Sequence, residues 1–157
     1  MSETFHIGLL GCGTVGSAFA ALVDELAPEI ERITGRRPLV SGVLTRSRGD
    51  AAEIIDGADI VVEVMGGVDP AREHVVRALS SGTHVVTANK QLVSRFGPEL
   101  WKAAAEGGAE LRYEAAVAGV VPVIRVLSES LSGAHIERIH GIVNGTTNFI
   151  LSQMAAT

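Results

Sequence analysis

With 157 residues, the chain is long enough for one domain with a proper hydrophobic core and too short for two full ones. Hydrophobic residues make up 46% and charged residues 20%, the balance of a soluble globular protein rather than a disordered one. The net charge is −5 with no basic block, and no apolar run approaches the roughly 18 residues of a membrane span, so neither a nucleic-acid nor a membrane partner is expected.

The first residues enter a strand pattern with no basic n-region or cleavage site, so no signal peptide is expected. Cys12 is the only cysteine, which rules out an internal disulfide and fits a reducing, cytoplasmic setting.

Phe5 to Leu10 is a compact apolar run closed by glycines, the pattern of a buried strand. From Val15, the residues Phe19, Leu22, Leu26, Ile30 and Ile33 recur at three- and four-residue steps. That spacing predicts an amphipathic helix, broken or restarted at Pro28. Leu39 to Thr45 reads as a second strand, Asp50 to Ile55 as a short helix, and Asp59 to Met65 as a third strand closed by Gly66-Gly67. A helix is expected from Asp69-Pro70 to Ser81-Gly82, with Asp69 as cap and proline at the first position. Thr83 to Thr87 is the fourth strand, Pro98 to Glu106 the next helix and Glu110 to Tyr113 the fifth strand. Pro122 to Leu131 reads as a helix, Ile136 to Val143 as a sixth strand, and Thr146 or Thr147 as the cap of a last helix.

Strands alternating with helices predict parallel pairing with right-handed crossovers. The expected fold is α/β, a doubly wound, mostly parallel sheet of the Rossmann dinucleotide-binding type. The boundary is expected near Ser132-Gly133, with residues 1–132 as the dinucleotide-binding domain and 133–157 as the incomplete start of a second one.

Gly11-Cys12-Gly13-Thr14-Val15-Gly16 sits between the first strand and the first helix. Gly11 permits a tight turn, Gly13 lets the backbone approach a pyrophosphate, and Gly16 lets helix and strand pack closely. Thr14 and Val15 open the helix, whose free N–H groups and partial positive charge favour phosphate. An acid about twenty residues beyond such a loop would grip a ribose hydroxyl and favour NAD. Here the second strand ends Leu44-Thr45-Arg46-Ser47-Arg48, with no acid before Asp50. Arg46 and Arg48 suit a 2′-phosphate, so NADP is favoured over NAD; the same pair also reads as a solvated basic turn.

Four stretches carry a resemblance. They are the glycine loop, Val62-Glu63-Val64-Met65-Gly66-Gly67, Thr87-Ala88-Asn89-Lys90, and Glu114-Ala115-Ala116-Val117-Ala118-Gly119. Pro122 and the segment Gly141 to Asn148 follow the last of them. In this order and at these distances they resemble homoserine dehydrogenase along the whole chain. The resemblance implies hydride transfer with NAD(P)H between aspartate 4-semialdehyde and homoserine, on the route to threonine and methionine. It carries Thr87 and Lys90 over as cofactor-contacting residues and Lys90 as the catalytic one, at the nicotinamide end. An ammonium there could donate to a carbonyl oxygen as negative charge develops. By its sequence alone Lys90 also reads as a solvent-facing loop lysine.

The resemblance further implies a monovalent-cation site for an ion such as sodium. Glu114 would offer its side chain, and Val117, Gly119 and Val121 their backbone carbonyls, all hard oxygen ligands. Val120 stands where most relatives have glycine or alanine. Glu114 also reads as a strand-end carboxylate paired with a base. Glu63, in an apolar strand, reads as a buried, paired acid with a structural role. The five histidines show no metal spacing: His6, His84, His135 and His140 read as packing residues and His74 as solvent-facing.

In such proteins a substrate-binding and dimerising region follows the Asn144 to Asn148 segment. This chain alone is therefore expected to turn over weakly, and the apolar face of Phe149, Ile150 and Met154 to favour self-association, disorder or packing on another chain. A stand-alone NADP(H)-binding or sensing module is the alternative, and a different semialdehyde reductase a third reading.

Overall fold

The computed structural model describes residues 3–119, 121–141 and 145–156. It divides into two compact units, residues 1–113 and 114–157, whereas the sequence reading sets its boundary near Ser132-Gly133. The first unit is built on a five-stranded parallel sheet. In it β1 (Glu3–Leu10) lies between β2 (Arg36–Leu44) and β3 (Ile60–Glu63), and β4 (His84–Thr87) and β5 (Leu111–Arg112) extend the sheet beyond β3. Parallel pairing needs a crossover between strands. Helices α1 (Thr14–Thr34), α2 (Ala51–Asp56), α3 (Ala71–Ser80) and α4 (Lys90–Gly107) provide them.

Successive strand residues face opposite sides, so the sheet is apolar on both. Leu10, Val61 and Val85 pack with Ile55 of α2, Leu79 of α3 and Leu100 of α4. Ile7, Leu9 and Val62 pack with Val23 and Phe19 of α1 on the other side. From β1 the chain runs outward to β2, then returns past β1 to β3 and β4. The carboxyl ends of β1 and β3 therefore flank a topological switch point, where open α/β sheets bind ligands.

Four local expectations change. Helix α1 runs unbroken through Pro28; proline removes one hydrogen bond, but Val23 and Ala27, both buried, anchor the turns that lead into it. Leu22 and Ile33, counted in its apolar stripe, are 52% and 67% exposed. Helix α4 begins at Lys90, well before Pro98, because the Asn89 side chain caps it by accepting from the Leu92 amide at 3.2 Å. Pro70, rather than Asp69, occupies the cap position of α3, with no side-chain capping bond.

The second unit holds a 3₁₀ turn (Glu114–Ala116), a single α-turn α5 (Val123–Arg125) running into a π-helical turn (Val126–Ser130), and α6 (Gly145–Ala156). Helix α6 thus starts ahead of the threonines expected to cap it. Residues 136–141 form no strand, and Ile136 and Ile139 are exposed. A strand needs a hydrogen-bonded neighbour, and the described residues of this unit include none to pair with. Ile142 and Val143, the end of that expected strand, lie outside the described residues.

Helices α3 and α4 are tied at the surface. Arg72 donates to both carboxylate oxygens of Glu99 at 3.0 and 2.8 Å and lies 4.4 Å over the Phe96 ring. Those hydrogen bonds to Glu99 hold the guanidinium above its ordinary range. Further along α3, Leu79 is fully buried in the core shared with α4. Leu79→Ala is expected to cost about 2–5 kcal/mol, read from the shift of the urea-unfolding midpoint followed by Trp101 fluorescence.

Candidate functional site

A cavity of about 830 Å³ opens at the carboxyl edge of β2, β1 and β3. Its three walls come from three strand ends. The first is the glycine loop, through Gly11, Cys12 and Gly13. Gly11 has φ +104°, and a Cβ there would lie 2.8 Å from the Met65 nitrogen, so only glycine fits. Gly16 is buried, and a Cβ on it would run into the Gly11 carbonyl; this is the close helix–strand approach expected of it. Gly13 caps α1, and nothing stands within 4 Å of where its Cβ would be. That open side gives an anion room to approach the amino end of a 21-residue helix. Thr14 and Val15 are exposed on the first turn and are absent from the cavity lining.

The second wall is the end of β2 and its loop, with Leu44, Thr45, Arg46 and Gly49. The loop is closed by the Thr45 amide donating to the Arg48 carbonyl at 2.8 Å. Arg46 lines the cavity, whereas Arg48 is exposed outside it. The next acid, Asp50, caps α2 by accepting from the Ala52 and Glu53 amides at 2.7 and 3.1 Å. Its carboxylate is engaged locally rather than turned to a ligand.

The third wall is the end of β3 and the start of α3, with Val64, Met65, Gly66, Asp69, Pro70 and His74. His74, expected to face solvent, is half-buried and lines the cavity. Asp69, His74 and Met65 escaped the sequence reading because helical periodicity does not show which loop and helix start fold over a switch point.

Behind this wall sits Glu63, fully buried as expected of it. Its carboxylate accepts from the Met65 amide at 2.8 Å, the Thr87 hydroxyl at 2.6 Å and the Asn89 side-chain amide at 3.4 Å. Its partners are thus neutral donors. Thr87 is also fully buried and presents no surface to the cavity; its hydroxyl takes the Asn89 amide at 3.0 Å while donating to Glu63. Its side chain therefore supports the site from behind rather than touching a ligand in this conformation. Lys90 is exposed at the first position of α4, beside that network but outside the cavity lining.

In the second unit Glu114 is half-buried. Its two carboxylate oxygens accept from the Ile124 and Arg125 amides at 3.1 and 2.9 Å, at the amino end of α5. Backbone amides, rather than a base, are its partners. The turn that follows carries Ala118 and Gly119 at φ 59° and 62°. The Val117 amide donates to the Glu114 carbonyl at 3.1 Å and the Val121 amide to the Ala118 carbonyl at 3.3 Å. Val120 lies outside the described residues. Among the described residues no three His, Cys, Asp or Glu side chains form a metal cluster, so any ion here would rest on Glu114 and carbonyl oxygens.

Two family models match the chain. The one described as "Homoserine dehydrogenase, NAD binding domain" covers residues 11–114, and the one described as "Homoserine dehydrogenase" covers residues 122–157. A homoserine dehydrogenase of Neisseria gonorrhoeae is 41% identical over 95% of this chain and 38% of its own length. The crystal structure of a homoserine dehydrogenase from Thiobacillus denitrificans superposes with a TM-score of 0.85 at 40% identity, covering 99% of this chain and 39% of that one. A hyperthermophilic archaeal homoserine dehydrogenase in complex with NADPH superposes with a TM-score of 0.84 at 30% identity, covering 98% and 57%. The chain spans 37–39% of the length of the curated relatives it matches. No described helix is long and apolar enough to cross a membrane.

The glycine loop separates two roles that substitution can tell apart. Gly11→Ala is expected to destabilise the fold by about 1–3 kcal/mol from its positive φ alone. Gly13→Ala, facing open space, should stay within about 1 kcal/mol of the parent. Thermal unfolding of the two variants checks the contrast.

Proposed function

The chain belongs to the homoserine dehydrogenase family, and from that membership we propose that it holds NADP(H) for the interconversion of aspartate 4-semialdehyde and homoserine. The observation that carries the reading is the cavity at the switch point, walled by a glycine loop that leaves the amino end of α1 open. Gly11, Gly13, Thr14, Val15 and Gly16 would cradle the pyrophosphate. Arg46, in the cavity wall, would take the 2′-phosphate, with Arg48 adding charge from outside it. The local engagement of Asp50 supports NADP over NAD, since no acid before it competes for the ribose. A bound dihydronicotinamide would supply the hydride that reduces the aldehyde carbon.

Lys90 is the residue we assign to the chemistry. At the first position of α4 its ammonium would donate to the carbonyl oxygen as that oxygen gains charge, and so stabilise the developing alkoxide. Thr87 holds the junction from which Lys90 projects. Glu114, with the carbonyls of Val117, Gly119 and Val121, is proposed to hold a monovalent cation such as sodium. Two of the carboxylate's lone-pair positions take amides, which leaves others for the ion.

The substrate reading places the protein in the amino-acid biosynthesis that leads to threonine and methionine. A cytoplasmic location agrees with the single, exposed Cys12. Residues 133–157 are read as the start of a substrate-binding and dimerising region. Phe149 and Ile150, 64% and 51% exposed on α6, are the surface on which association of copies would draw.

Titration of the purified chain with NADPH and with NADH tests the reading. Micromolar binding, tighter for NADPH, is expected. Arg46→Ala should weaken NADPH about tenfold, the equivalent of one charge-assisted contact, and leave NADH unchanged. A folded chain that binds neither nucleotide overturns the proposal. Sodium should raise the unfolding temperature of the parent and not of Glu114→Ala; equal shifts would remove the cation site.

A further inference from the structure

We infer that Glu63 is a positioning residue that couples the rim of the nucleotide cavity to the first turn of α4, and so places Lys90 relative to bound nucleotide. The inference rests on the nucleotide-binding reading above. The interior of a parallel strand favours Val, Ile or Leu, and β3 reads Ile-Val-Val-Glu. Burying a carboxyl group is costly unless donors satisfy it. Glu63 shows no surface at all, and its donors come from two separate places.

One oxygen accepts from the Met65 amide, and Met65 lines the cavity. The other accepts from the Thr87 hydroxyl, at the last residue of β4. Asn89 closes the set. Its side-chain nitrogen reaches Glu63 at 3.4 Å and the Gly67 carbonyl at 2.5 Å, while its side-chain oxygen accepts from the Leu92 amide at 3.2 Å. The same Asn89 backbone amide donates to Thr87. One buried carboxylate therefore binds the loop after β3 and the β4–α4 junction in a single network, and Lys90 is the next residue along the chain. Glu63 touches neither the cavity nor solvent, so it acts through Met65, Thr87 and Asn89 and not on a ligand. Networks of this kind, fully satisfied, rigidify what they join.

A side chain that only filled space would stabilise the fold without linking its two ends. Amide hydrogen exchange with and without saturating NADPH separates the two roles, since it reads local opening free energies along the chain. In the parent chain, NADPH is expected to slow exchange at residues 64–67 and also at Leu92 and Val93, which line no part of the cavity. In Glu63→Gln, and in the isosteric Thr87→Val, the glycine loop should still be protected, but protection at Leu92 and Val93 should fall about tenfold, as for one lost hydrogen bond to a charged group. Thr87→Ser keeps the donor and should restore it. Nucleotide-bound Glu63→Gln or Thr87→Val with the parent's protection at Leu92 and Val93 overturns the inference alone. A parent chain that binds no nucleotide overturns the underlying reading first.

Discussion

Leu44, Leu10, Glu63 and Thr87 stand side by side at the carboxyl edge of four parallel strands. The ladder continues one step past them, with the Gly11, Val64 and Ala88 amides donating to the Leu44, Leu10 and Glu63 carbonyls. Every segment that forms the candidate site leaves the sheet from this row. A shift of one residue in any of these pairings would exchange the side chains that meet the two helix layers and spoil the packing on both faces. It would also carry the glycine loop away from the loop after β3. The register therefore places the site as well as the core.

Among the described residues three polar side chains interrupt an otherwise apolar interior, and all three lie at this edge: Glu63, Thr87 and Asn89. Their value lies in direction rather than in net stability, because buried polar groups gain little over well-packed apolar ones. Apolar substitutes would fill the volume but could not reach the Met65 and Leu92 amides. The surface ion pairs are of a different kind. Arg36–Glu3, Arg77–Asp56 and Lys102–Glu106 are well exposed, and pairs of that sort contribute at most about 1 kcal/mol each.

The second unit has its own organising carboxylate. Glu114 holds two amides at the start of α5, and so joins the 3₁₀ turn to the helical segment that follows. The same oxygens that would face a cation thus also set the turn on which the proposed carbonyl ligands lie. No apolar residue among the described ones of this unit is buried, so hydrogen bonding and turn geometry carry more of its local order than packing does.

The order of strands and helices in the first unit was legible in the residues themselves, because alternating β-branched runs and amphipathic stretches leave few topologies open. The glycine loop was legible for the same reason: Gly11 and Gly16 answer steric demands that any strand–turn–helix of that spacing makes. Other features needed the fold. The buried stripe of α1 runs through Gly16, Val23 and Ala27; glycine and alanine carry too little side chain to register in an apolar periodicity, and without them Val23 does not mark the buried face. The start of α4 depended on Asn89 turning its side chain inward to cap it, and Pro98 gave a false signal because packing of Leu92 and Leu100 holds the helix around it. Ile136 to Val143 has the composition of a strand, yet its described residues form none, since pairing is supplied by neighbours and not by sequence. His74 and Asp69 joined the cavity, and Thr87 withdrew from it, for one reason. Periodicity tells which face of an element is apolar, but only the folded sheet decides which loops converge over its switch point.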